Sequence, residues 1–345
     1  MAMTIGDIAK LAGVSRATVS GVLNSSPTVS AKTKERVLAI IEEHNYRPNE
    51  IARALALNQT ALIGLIVKDI SNPLYSIISL GVEEVCEENG YSVILGNTHK
   101  QWNREVAHIR LLTRRRVDGL IIFPLQKETD LAHIQELKDS DYPFVLLAEV
   151  PGVEADLVRA DDETGAFDAT THLISLGRKN LVYITGPETA LASDRRLRGF
   201  QRGLETRDIP FDNNSVRTGG WRLQDGYRAG IELLCGSEKV ADGAFCYNDA
   251  VAIGFIRALI EKGCRVPEDV AVVGFDDAGA GAFLETSLTA VAQPAREIGR
   301  KAAEVLLNRI RRKNKIPLQK LFLDTHLVVR ETCGAQKKGC VNALN

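Results

Sequence analysis

The sequence predicts an all-α N-terminal head of about 60 residues, followed by an α/β domain of two lobes. Three observations carry this. Between Thr4 and His44 lie three short amphipathic segments, each preceded by a residue suited to cap a helix. At Ala61 the texture changes to apolar runs alternating with amphipathic segments, the β-α-β-α order of a parallel sheet with helices on both faces. That series then occurs a second time, which predicts two sheets and therefore two lobes.

In the head, Thr4 caps a helix over 5–12 that Gly13-Val14 breaks, and Ser15 caps a second that runs through Leu23. After a polar turn from Asn24 to Pro27, Ser30 caps a third from Ala31 to about His44. Ile5, Ile8, Ala9 and Ala12 share one face of the first helix. Val19, Val22 and Leu23 share a face of the second, and Val37, Leu38, Ile40 and Ile41 a face of the third. Ala9, Gly13 and Val19 stand where a helix-turn-helix needs a small residue, a turn residue tolerant of positive φ and an apolar anchor. Opposite the core, the second helix carries Arg16, Ala17, Ser20, Gly21 and Asn24, which leave a major groove unobstructed. A three-helix cap with a merely solvated face is the competing reading. Tyr46-Arg47-Pro48-Asn49 then leads into an Ala/Leu-rich potential helix at 51–57 with no core of its own. Two such segments can pair only when two subunits hold them side by side.

Among the 345 residues, 45% are hydrophobic and 25% charged, and the net charge is −1. Residues 1–60 hold seven basic and five acidic side chains, a small positive excess consistent with nucleic acid. The six cysteines include no C-x-x-C pair and the six histidines no H-E-x-x-H spacing, so neither a disulfide frame nor a metal site is expected. Gly274 to Gly281 is glycine-rich but lacks G-x-G-x-x-G, and neither a phosphate-binding P-loop nor a G-x-S-x-G elbow occurs. No enzyme and no cofactor is therefore expected. The N-terminus has no apolar signal segment and no run approaches a membrane span, so a cytoplasmic protein is expected. That excludes a free-standing binding protein for uptake, which would have no use for the head.

In the larger domain, apolar runs at 62–67, 93–95, 120–123 and 144–147 alternate with amphipathic segments near 74–89, 104–116 and 128–138. A second series has runs at 157–160, 181–185, 244–247 and 270–275, with helices near 163–176, 195–206, 224–234 and 249–262. Ligands of such sheets sit at the carboxyl ends of the strands.

Motifs throughout the chain resemble the lactose/galactose repressor (LacI/GalR) family. In the head they are Ile5-Gly6-Asp7-Ile8-Ala9, Ala12-Gly13-Val14-Ser15, Thr18-Val19-Ser20, Leu23-Asn24, Val29-Ser30 and Asn45-Tyr46-Arg47-Pro48-Asn49. In the larger domain they include Asn72-Pro73, Arg116-Val117-Asp118-Gly119, Arg195-Arg196-Leu197-Arg198-Gly199-Phe200, Asn248-Asp249 and Val273-Gly274-Phe275-Asp276-Asp277. The resemblance implies a helix-turn-helix over 1–48, a hinge helix over 49–60 and a periplasmic-binding-protein-like effector domain over 61–331. Lobe 1 would take about 61–160 and 293–321, lobe 2 about 161–292 and 322–331, leaving a polar tail over 332–345. On double-stranded operator DNA, Arg16, Ala17 and Gly21 occupy base-reading places, and Ser15, Thr18, Ser20, Asn24 and Asn49 backbone-contacting ones. Ala52, Arg53 and Leu55 form the minor-groove hinge, Leu55 wedging between bases in exchange for a bent duplex. Gly21 departs from the lactose repressor, which reads a base there with a long side chain, so Arg16 should carry most direct readout.

For the effector, the resemblance points to Arg196, Trp221, Asn248, Asp276 and Gln293, with Asp69, Ser71, Asn72 and Tyr75 lining the cleft from the first lobe. Glu149, which follows Ala148 where the lactose repressor has an acidic ligand residue, is counted with them as an effector-binding residue. Each has a plainer reading: Arg196 pairing with Asp194, Asn248 capping the helix at Asp249, Asp276 as a turn residue, Trp221 as packing. The expected function is a repressor of transcription, a homodimer on a near-palindromic site, switched by a sugar, sugar phosphate or polyol. The tail, with Lys337-Lys338, lacks the leucine heptads of a tetramer.

Overall fold

The computed structural model describes residues 3–23, 26, 28–44, 46, 59–125, 131–235, 241–312 and 316–335. Asn24, Asn49 and the hinge segment with Ala52, Arg53 and Leu55 lie outside the described residues. The chain forms two compact units, Met1–Ala61 and Leu62–Asn345.

The first unit contains α1 (Ile5–Leu11), α2 (Arg16–Leu23) and α3 (Ala31–Glu43). Thr4 and Asp7 form a reciprocal capping box at α1, and Ser30 Oγ accepts from the Thr33 amide at α3. At α2, Ser15 Oγ accepts from the Thr18 amide at 3.1 Å. Gly13 has φ +60°, the left-handed geometry required of the turn. Ile8, Ala9, Ala12, Val19, Val22 and Val37 make the miniature core. Leu38, expected on the core face of α3, is instead 43% exposed, because the helix is wetted on all but the Val37 stripe.

The second unit holds twelve strands and eight α-helices among its described residues. The first lobe has β1 (Leu62–Val67), β2 (Ser92–Asn97), β3 (Gly119–Ile122), β4 (Phe144–Leu146), β5 (Asp156–Ala160) and β11 (Lys320–Leu323). They run in the order β11-β5-β4-β3-β1-β2, every pairing parallel. Its helices are α4 (Pro73–Glu88), α5 (Trp102–Arg114), α6 (Ala132–Asp139) and α11 (Ala295–Arg311). The second lobe has β6 (Leu181–Ile184), β7 (Val216–Arg217), β8 (Gly243–Cys246), β9 (Ala271–Asp276), β10 (Thr289–Ala292) and β12 (His326–Val328). Their order is β12-β10-β9-β8-β6-β7, with β12 antiparallel to β10. Its helices are α7 (Asp162–Ser175), α8 (Leu191–Glu205), α9 (Leu223–Cys235) and α10 (Asp249–Glu261).

Three details differ from the sequence reading. The run at 157–160, grouped with the second series, is β5 of the first sheet, because its partners are β4 and β11. The first-lobe strand β11 extends to Leu323 rather than ending near 321. Thr332 and Cys333, expected in the polar tail, are fully buried: Thr332 Oγ1 accepts from the Thr289 amide and donates to Val272 O.

Helices pack in glycine-to-backbone pairs. A Cβ on Gly81 of α4 would fall 2.0 Å from Arg296 O of α11, and one on Gly299 of α11 would fall 2.1 Å from Ile78 O of α4. In the second lobe, Gly226 of α9 meets Val251 O at 2.0 Å and Gly254 of α10 meets Leu223 O at 1.9 Å in the same sense. Here glycine is used for close approach. The chain crosses between lobes after β5, after β10 and between β11 and β12.

Candidate functional site

The carboxyl ends of β1, β3, β4, β8 and β9 open onto one cleft with two chambers. The inner, of about 60 Å³, is lined by Lys68, Tyr75, Phe123, Arg195, Arg196 and Asp276 among others. The outer, of about 320 Å³, adds Asp69, Ser71, Lys100, Gln224 and Asp249. Asn72, Tyr75, Trp221, Asn248 and Asp276 border both. The outer chamber has the size of an ordinary small-molecule site.

Apolar strands end in polar residues that helix starts hold in place. Asn72 caps α4 by accepting from the Leu74 amide, and Pro73 occupies the first turn. Asp69 accepts from Ser71 Oγ at 2.7 Å and pairs with Lys100 at 3.0 Å. Tyr75 is buried edge-on to Phe123, their centroids 5.0 Å apart. Asn248 caps α10 through the Val251 amide, as its plainer reading expects, and its Nδ2 also donates to Trp221 O. Trp221 meets Tyr247 edge-on at 6.3 Å, with the Lys100 ammonium 4.9 Å from its ring centroid.

At the centre is a buried ion network. Arg196 does not depend on Asp194; its Nε and Nη2 donate to Asp162 Oδ1 at 3.0 and 2.8 Å. Its Nη1 donates to Tyr247 O, and its guanidinium lies 3.6 Å from the Phe275 ring centroid. Arg195 bridges Asp162 and Glu149, and Glu149 also accepts from Arg159. Glu149 is therefore committed to two arginines and is not part of the cleft lining. Burial pushes the Asp162 carboxyl up, but the Arg196 and Arg195 guanidiniums outweigh it and hold the carboxyl below its ordinary range. Asp276 is 6% exposed and accepts from Gln293 Nε2 at 2.7 Å. Its φ of +104° is one that side chains rarely adopt, and Asp277 follows at +51°.

Asp249 is buried beside it. Its Oδ2 accepts from the Ala278 amide, while its Oδ1 has no hydrogen-bond partner among the described residues. Burial, reinforced by the charge of Asp276, raises the Asp249 carboxyl well above the ordinary carboxylate range. The folded state thus binds this proton more tightly than the unfolded chain, so stability falls as pH rises above about 4. Asp249→Asn is expected to stabilise the fold by about 1–2 kcal/mol at neutral pH, with no gain below pH ~4. Melting temperatures of both proteins across that range check this; a gain independent of pH would assign it to packing instead.

Sequence reading missed Lys68, Phe123, Arg159, Asp162, Arg195 and Tyr247 as cleft residues. The available signals were the charge that ends the β1 apolar run at Lys68, and Arg195-Arg196 beside the buried Phe200. Among the described residues, no group of three His, Cys, Asp or Glu could hold a metal, and no helix is long and apolar enough to cross a membrane.

In the head, Arg16 and Ala17 are exposed on α2, and Ser20 and Gly21 are half-buried. A Cβ on Gly6 would stand 2.8 Å from Arg16 Nη2, so the arginine lies back over α1 at a place where α1 has no side chain. Ser15 and Thr18 hydroxyls are 2.9 Å apart at the start of α2. A Cβ on Gly21 would meet Val29 Cγ2 at 3.1 Å.

A family profile described as bacterial regulatory proteins, lacI family, matches residues 4–49, and one for a periplasmic binding protein-like domain matches 170–333. The HTH-type transcriptional repressor PurR of Haemophilus influenzae (strain PittEE) is 35% identical over 331 residues, 95% of this chain and 98% of its own. A structure of the Lac repressor dimer bound to operator and the anti-inducer ONPF superposes with TM-score 0.84 at 28% identity, covering 96% of this chain and 99% of that one. A complex of the transcriptional regulator CelR with cellobiose gives 0.74 at 32% identity, with the same coverage.

Proposed function

The chain belongs to the lacI family of bacterial regulatory proteins, and we propose that it is a cytoplasmic transcriptional repressor that binds a near-palindromic operator as a homodimer. A sugar or sugar derivative in the cleft controls it by favouring one arrangement of the two lobes, and so governs whether the hinge around Leu55 forms on DNA. The observation that carries the reading is α2, a capped helix of a helix-turn-helix that leaves Arg16 and Ala17 exposed opposite its buried Val19 and Val22.

For pairing with a second copy we assign an apolar face of the second lobe. There a 450 Å³ groove between α9 and α10 is bordered by Leu223 and Ile260, and Phe283 beside it is 84% exposed.

Selection of duplexes from a random pool by the purified full chain, followed by anisotropy titration, tests the reading. A two-fold-related site should be enriched. Arg16→Ala should weaken that site by about 10- to 100-fold, the loss of one bidentate base contact, while binding to unrelated duplex changes far less. Enrichment of no sequence would overturn the operator reading. Unchanged affinity in Arg16→Ala would move the readout to other residues.

A further inference from the structure

Lys68 directly follows β1 on the wall of the inner chamber and is 3% exposed. Its ammonium lies 4.8 Å from the Phe123 ring centroid and 5.9 Å from that of Trp221. Among the described residues the Lys68 ammonium has neither an ion-pair nor a hydrogen-bond partner, although the Lys68 carbonyl accepts from Thr98 Oγ1 and the Lys100 amide. The other cations of the inner chamber are matched: Arg159 by Glu149, Arg195 by Glu149 and Asp162, Arg196 by Asp162. Glu105, the carboxylate that most favours a charge on Lys68, has its two oxygens taken by His133 Nε2 and the Leu125 amide, each at 2.8 Å. Ring faces compensate a buried ammonium only in part, and its three donors stay unused. Burial accordingly pushes the lysine down to about 8, Arg195 and Lys100 adding to the effect while Glu105 and Asp162 oppose it. A side chain of this kind, nine-tenths buried and turned to a chamber, is completed by an anion that enters with the ligand.

The chambers restrict which anion. The inner space, about 60 Å³, admits one compact group, and the roomier outer chamber beside Trp221 and Asn248 takes the rest of the molecule. Asp162 and Asp276 on the same inner wall oppose a second negative charge. We propose that the ligand is a hydroxylated carboxylic acid of the sugar-acid class, its carboxylate against Lys68 and its hydroxyls in the outer chamber. This rests on the reading of the cleft as the effector site.

The test is calorimetric titration of the full chain with D-gluconate, D-glucuronate, D-galacturonate, D-glucose, D-galactose and D-glucose 6-phosphate, repeated on Lys68→Met and Asp276→Asn. At least one acid should bind about tenfold or more tightly than its neutral counterpart, and Lys68→Met should erase that preference. Met replaces a buried, unpaired charge by an apolar chain of similar length, so the variant should melt no lower than wild type. A pH profile supports it: affinity of wild type for the acid should fall as pH rises through about 8 and Lys68 loses its proton, and the fall should be smaller in Lys68→Met, which keeps the raised Asp249 carboxyl of the outer chamber. The proposal is overturned if a neutral sugar binds as tightly as the acid, if the phosphate is preferred, if Lys68→Met keeps the preference, or if none of the acids binds at millimolar concentration. An acid held equally by wild type, Lys68→Met and Asp276→Asn would sink the cleft reading itself, whereas a neutral sugar lost only in Asp276→Asn would sink the lysine proposal and leave the cleft standing.

Discussion

Asp162→Ala is expected to cost about 3–5 kcal/mol of folding stability, among the largest effects of any single substitution in this protein. The carboxylate is 5% exposed and accepts three hydrogen bonds, one from Arg195 Nε to Oδ2 and two from Arg196 to Oδ1, at 2.8 to 3.0 Å, with Arg195 Nη2 also 3.0 Å from Oδ2 as an ion pair. Its removal leaves Arg196 buried with Asp276 at 3.8 Å as its nearest remaining carboxylate. Replacing one member of such a cluster is far more damaging than replacing all of it, because the desolvated charge stays behind. Because the folded carboxyl is held below its ordinary value, its contribution is present at neutral pH and lost in acid. Urea unfolding of both proteins at pH 7 and near pH 3 measures this. A loss under about 1 kcal/mol at pH 7 would mean that water enters and takes the place of Asp162.

Comparable damage should follow from one methyl group. Gly254→Ala places a Cβ 1.9 Å from Leu223 O, and Gly81→Ala places one 2.0 Å from Arg296 O. The obstacle is backbone in each case, so no rotamer change relieves it and the paired helices must separate. A cost of about 3 kcal/mol or more is expected for each, the upper end of overpacking effects. Since alanine is the better helix former by about 1 kcal/mol, propensity works against this result and sharpens it. A variant that melts within about 2 °C of wild type would show that the helix pair yields at little cost.

The elements that sequence reading located well are those buried on both faces. β1, β6, β8 and β9 are continuous apolar runs and are almost wholly buried. Those it did not locate are short or marginal: β7 has two residues and β12 three, β11 alternates exposed and half-buried positions with Lys320 and Phe322 outward, and β10, though buried, is a four-residue Thr-Ala-Val-Ala segment. Such strands carry no run for periodicity to find. In the head, the caps Thr4, Ser15 and Ser30 were legible because capping is local chemistry. The cleft was legible in part. Asn248, Asp276 and Gln293 stand at strand ends, where an α/β sheet holds its ligands, and Arg196 reaches the same cleft from the second turn of α8. Asp162 and Arg195 are 33 residues apart, and no local pattern announces that they meet. Glu149 was assigned to the ligand because no neighbour in sequence signals the two arginines that claim it.

Each passage between the lobes leaves a strand at the margin of its sheet: β5 leads into α7, β10 into α11 and β11 into β12. The domain is therefore bound like a book, along a single spine. Adjacent strands are about 4.8 Å apart, so β2, five intervals from β11, lies about 24 Å out on the page. Rotation about the spine multiplies displacement with that distance, and a wedge of one ångström close in becomes several at the outer margin. Ligand thickness near the spine, more than the number of bonds the ligand makes, would set how far the pages part. Two molecules of equal affinity can then differ greatly as signals.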